Sequence, residues 1–183
     1  MGAELWYHEA PWHPDPNVAL ADLQAHFLAE NYDLPRVIAQ QLISTRDAVK
    51  DSKANKEYQF LVELYEEQVQ LLEALSSKPI PQDPQEQIKI LRQIQAYGGQ
   101  GIGNILDVTN VSNRRDFPTA EQLPTSEISR LVGTTQPTRV QAEQAIDHLH
   151  GELQRGETVC FPIYDDTGGS KSVGWYFVGN TVD

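Results

Sequence analysis

The stretch from Glu57 to Leu75 constrains this chain most. Wound at about 100° per residue, it carries two apolar stripes where a surface helix needs one. Tyr58, Leu61, Val62, Tyr65, Val69 and Leu72 recur at the spacing of a single helix face. Phe60, Leu64, Leu71 and Leu75 form a second stripe, roughly 130–140° further round. Burying one large apolar side chain is worth about 1.5–3 kcal/mol, so this helix is expected to touch neighbours on two sides. The expected neighbours are the helices flanking it in sequence and the apolar run Trp175–Val178. A second copy of the chain is a further candidate, giving a dimer through Glu57–Leu75. The arc left over is acidic and holds Glu63, Glu66, Glu67 and Glu73.

Helix start signals are frequent. Asp15-Pro16 supplies a capping side chain and a first-turn proline for a helix to about Glu30. Asp33 and Pro35 start a second helix, whose apolar pattern fades near Lys50. The proline-rich segment Ser76–Pro84 reads as a linker and is the weakest candidate boundary in an otherwise single domain. Asp83, Pro84 and Glu86 then open a helix that Gly98 and Gly99 end. A helix over Thr125–Val132 stops at Gly133, and a capping box at Thr138 and Gln141 opens another that runs toward Gly156.

Strand signals lie at the chain ends. Ala3–His8 alternates, and Pro11, Pro14 and Pro16 then forbid regular pairing. Ile102–Val111 reads as one extended segment. Val159–Tyr164 and Val173–Val182 are β-branched and aromatic, separated by the turn-forming run Asp165–Ser170. The expected fold is therefore α+β, a helix-rich single domain. Its small, mostly antiparallel sheet would be formed by the N-terminal strand and the C-terminal hairpin.

Charge narrows the partners. The chain of 183 residues carries a formal net charge of −12, with 26 acidic residues against 14 basic. That balance argues against a nucleic-acid backbone or an anionic membrane and suits a basic protein partner. No apolar run reaches the roughly 20 residues that span a bilayer, the amino terminus lacks a secretory pattern, and Cys160 is the only cysteine. A cytoplasmic, soluble protein is expected.

The densest polar constellation is His8, Glu9, Trp12, His13 and Asp15, in and around the proline-rich loop. Imidazole and carboxylate together shuttle protons or hold zinc, although the spacing matches no metal motif. Trp12 would be a stacking wall, and Arg114 or Arg115 would grip an anionic group from elsewhere in the chain. Other apparent motifs dissolve on inspection. His148 and His150 diverge on a helix, and Cys160 sits in a strand-like apolar run. Gly98, Gly99, Gly101 and Gly103 follow a helix, where a phosphate loop precedes one. Asp166-Thr167-Gly168 is a single copy of a triplet that aspartic proteases need twice. No cofactor or metal is implied. The reading is a non-enzymatic binding protein acting through its acidic helical surface. The alternative is a small enzyme or ligand-binding domain using the His8–Asp15 loop.

Overall fold

A computed structural model describes residues 5–97, 101–167 and 170–181. The chain divides into two compact units, one built from Met1–Phe27 and Gly101–Asp183 and the other from Leu28–Gln100. The proline-rich segment at 76–84 lies inside the second unit.

The first unit is a five-stranded sheet in the order β1-β5-β4-β3-β2, made of β1 (Leu5–Pro11), β2 (Asn110–Ser112), β3 (Thr119–Gln122), β4 (Thr158–Tyr164) and β5 (Ser172–Asn180). β1 pairs with β5 and β5 with β4, all antiparallel, as the sequence predicts. The sheet is nevertheless mixed, because β4–β3 and β3–β2 are parallel. β2 and β3 escape a sequence reading because they are three and four residues long and mostly polar. Their hydrogen bonds, not their side chains, make them strands. The expected extended run Ile102–Val111 holds only β2 at its end, after a 3-10 turn at Ile105–Asp107. β1 also runs further than expected, pairing through Pro11 with Gly174. A proline is tolerated there because β1 is an edge strand. The predicted strand start at Ala3, strand end at Val182 and helix stop at Gly98-Gly99 lie outside the described residues.

Alternation along the strands gives the sheet two buried faces. Val159, Phe161, Ile163, Tyr176 and Val178 pack against α5 (Thr125–Val132), α6 (Arg139–Gln144) and α7 (Ile146–Glu152) through Ile128, Leu131, Ala142 and Leu149. The opposite face carries buried Cys160, Trp175 and Phe177 and meets the first part of α1 (Pro16–Asn31), whose Phe27 lies edge-on to His8 at 4.9 Å. Buried Gln24 of α1 donates to the carbonyls of Ile105 and Val108 at 2.9 and 2.6 Å. Gly133 ends α5 at φ 84°, and the Thr138–Gln141 capping box forms as read. The helix it opens breaks at Ala145, so one expected helix is two short ones, α6 and α7.

The second unit contains α2 (Leu34–Ala54), α3 (Val62–Ser76) and α4 (Pro84–Ala96). Asp33 and Asp83 cap α2 and α4 with their side chains, as predicted. α2 and α3 form an antiparallel hairpin, since Arg46 pairs with Glu73 and Lys53 with Glu66, each at 2.6 Å. The organising helix starts later than the pattern suggests. Lys56–Leu61 is a 3-10 turn, and α3 begins at Val62. Of the first stripe only Leu72 is fully buried, and the second stripe is exposed at Phe60 and Leu64. Trp175–Val178, another of the expected neighbours, belongs to the sheet of the first unit. Among the described residues no helix is long and apolar enough to cross a membrane.

Candidate functional site

The residues of the predicted loop site do not converge. Because β1 alternates, His8 and Glu9 project from opposite faces of the sheet. His8 is half-buried between Trp6 and Phe27, with ring centroids 5.9 and 4.9 Å away, and burial lowers its pKa. His13 turns back on its own loop, where its Nδ1 accepts from the Asp15 amide at 3.0 Å. Asp15 caps α1 by accepting from the Asn17 amide at 2.9 Å. Trp12 is stacked on Trp175 at 5.3 Å and 9°, and Trp175 Nε1 donates to the His13 carbonyl at 2.9 Å. The Trp12 ring and the His13 carbonyl therefore fasten the loop to β5, while the His13 and Asp15 side chains brace the loop itself and the start of α1.

Arg114 and Arg115 follow β2, on the far side of the sheet. β5 and β4 stand between β1 and β3, a distance of about 14 Å at the usual strand spacing. Arg114 is exposed, whereas Arg115 is held by Glu121 at 2.6 Å and Glu157 at 3.9 Å. The arginine that does reach Glu9 is Arg139, with Nη2 2.5 Å from Oε1 across 130 residues of sequence. The Thr138 capping box sets Arg139 in the first turn of α6, so its direction is locally encoded while its target is not.

Around this ion pair lies a groove of about 600 Å³, lined by Glu9, Ala10 and Pro11 of the edge strand, Asp22, Leu23 and His26 of α1, and Arg139. Glu9 alone of these was predicted. Asp22 and His26 stand one turn apart on α1, a spacing that is visible in sequence but carries no motif. No family model, curated protein or solved structure matches this chain. Among the described residues no group of three or more His, Cys, Asp or Glu side chains could hold a metal ion.

Two other sequence candidates have structural explanations. Cys160 is fully buried, and desolvation reinforced by Glu121 pushes its thiol far up, so it is held as the inert neutral form. The glycine-rich segment does cradle an anion, but the anion is the chain's own Asp107. Its carboxylate accepts from the amides of Ile102 at 2.8 Å and Gly103 at 2.6 Å. A Cβ on Gly101 would stand 2.7 Å from Asp107 Oδ2, so a side chain there would crowd the carboxylate out.

The predicted acidic arc is half committed to the hairpin. Glu66 and Glu73 hold α3 to α2, whereas Glu63 and Glu67 are exposed and have no ion-pair partner among the described residues. Beside them the 3-10 turn and the start of α3 present Tyr58, Phe60 and Leu64, which are 48%, 76% and 39% exposed. An aromatic and aliphatic patch bordered by uncompensated carboxylates results.

Proposed function

We propose that this is a non-enzymatic cytoplasmic binding protein, and that its α2–α3 hairpin docks a partner with an apolar face bordered by basic side chains. The exposure of Phe60 is the observation that carries this reading. A phenylalanine three-quarters exposed costs hydration free energy that a partner's pocket would recover, and aromatic side chains are the usual anchors of interfaces. Glu57, Glu63 and Glu67 beside it supply the charge that selects a basic rim. The lone buried cysteine suits a reducing compartment.

A basic amphipathic helix of leucine and lysine is a suitable probe, followed by fluorescence anisotropy. Phe60→Ser is expected to weaken its binding at least about tenfold, and Glu63→Lys to weaken it less and remove part of its salt dependence. Unchanged binding by Phe60→Ser would sink the proposal. If a second copy of the chain is the partner instead, light scattering will show a doubled mass that Phe60→Ser returns to the monomer.

A further inference from the structure

The phase of the sheet's hydrogen bonds identifies which backbone groups of β1 face outward. In β4 the Cys160 carbonyl accepts from the Leu123 amide at 2.9 Å, on the side of β3. Cys160 therefore turns its backbone away from β5, and its register partner Phe177 turns toward β1, where it meets His8. Asn180 gives the same phase, since it bonds the Glu157 carbonyl and the Gly156 amide at 3.0 Å each, on the side of β4. Bonded and non-bonded pairs alternate in an antiparallel ladder. Trp6, His8 and Ala10 thus face β5, while Tyr7 and Glu9 direct N–H and C=O out from an edge that no described strand covers. Pro11 falls in the same outward set, where a missing N–H breaks no ladder bond.

This edge runs into the groove beside Glu9, Ala10 and Pro11, with Asp22, Leu23 and His26 of α1 overhanging one face and Arg139 the other. We propose that the open edge of β1 accepts an extended segment of a partner protein as an additional strand, bonded to the backbone of Tyr7 and Glu9. Side chains of an added strand alternate between the two faces. Those on the α1 side meet Asp22, which has no ion-pair partner among the described residues, and must be basic there. Those on the other side lie over the Tyr7 ring, which is 49% exposed and stacked on Tyr176 at 5.9 Å, and are apolar. Glu9 is already neutralised by Arg139, so on the α1 side Asp22 selects the charge. The first unit, with 15 acidic residues against 6 basic, adds a long-range attraction for a basic segment. Pro11 ends the pairing and fixes its register.

A short peptide alternating lysine and valine tests this, titrated into the isotope-labelled full chain and followed by amide shifts and hydrogen exchange. The Tyr7 and Glu9 amides are expected to shift and to exchange at least about tenfold more slowly at saturation. Asp22→Lys is expected to weaken binding roughly three- to tenfold. The same peptide with its bonding amides methylated, or with glutamate in place of lysine, is expected not to bind. Phe60→Ser is expected to leave the affinity unchanged, which separates this site from the hairpin. Failure of the peptide to bind, undisturbed exchange at Tyr7 and Glu9, or equal binding of the methylated peptide would each overturn the proposal. So would protection of those two amides in the peptide-free protein together with a dimer's mass, since a second copy would then hold the edge.

Discussion

Gly179 of β5 lies opposite Trp6, and a Cβ there would stand 2.1 Å from Trp6 Cζ2. The absent side chain is what lets the indole lie flat on its neighbouring strand. Gly179→Ala should therefore cost about 1–3 kcal/mol by overpacking, read as a lowered urea midpoint. The same substitution in a Trp6→Leu background should cost clearly less, because the clash and its partner leave together. His8, on the same face as Trp6, makes a second residue-level prediction. Burial holds its folded pKa below the unfolded value of about 6.5. Below that pH the unfolded chain takes up the proton first, so the His8 contribution to stability falls as pH falls toward the lowered pKa. Above it the contribution is constant. His8→Leu should flatten the stability profile just below pH 6.5 relative to the parent, measured by urea unfolding across that window. An unchanged difference between the two proteins would show that His8 is not titrating there.

Within the hairpin, two apolar side chains of one segment have opposite fates. Leu72 is fully buried and Phe60 stands in solvent, although both look equally apolar in sequence. Leu72→Ala should cost about 2–5 kcal/mol, whereas Phe60→Ser should change stability by no more than about 0.5 kcal/mol. Denaturation of the two variants side by side checks this, and it also establishes that a binding defect in Phe60→Ser is not an unfolding defect. Over Lys56–Leu61 the 3-10 turn, with three residues per turn, shifts Tyr58 and Phe60 off the faces that a continuous α-helix would give them, and both are exposed. Other elements were legible to within a residue or two. α1, α2 and α4 begin where an aspartate cap and a nearby proline place them, and α5 ends where a glycine adopts positive φ. The candidate groove was not legible, because Asp22, His26 and Arg139 belong to no motif and gather only around β1.

For the whole molecule, charge is unevenly shared. Leu28–Gln100 holds 11 acidic and 8 basic residues, a net of −3, so the remaining −9 of the chain's −12 belongs to the unit that contains the sheet. Self-repulsion of that order destabilises a compact state. Raising ionic strength from about 0.01 to 0.15 M shortens the Debye length from about 30 to 8 Å and should raise the thermal midpoint. A fall would mean that exposed pairs such as Arg46–Glu73 and Arg139–Glu9 outweigh the repulsion.

The sequence by itself determined what closes within a few residues. The caps at Asp15, Asp33, Asp83 and Thr138, the stop at Gly133 and the antiparallel pairing of β4 with β5 are of this kind. Their hydrogen bonds reach at most a turn of helix or across one short loop. Tertiary structure alone decided the parallel addition of β2 and β3, the pairing of Glu9 with Arg139, and which apolar side chains of the Glu57–Leu75 segment are covered. Each depends on register between segments tens of residues apart, and register is set by the packing of the whole core, to which no local pattern of side chains has access.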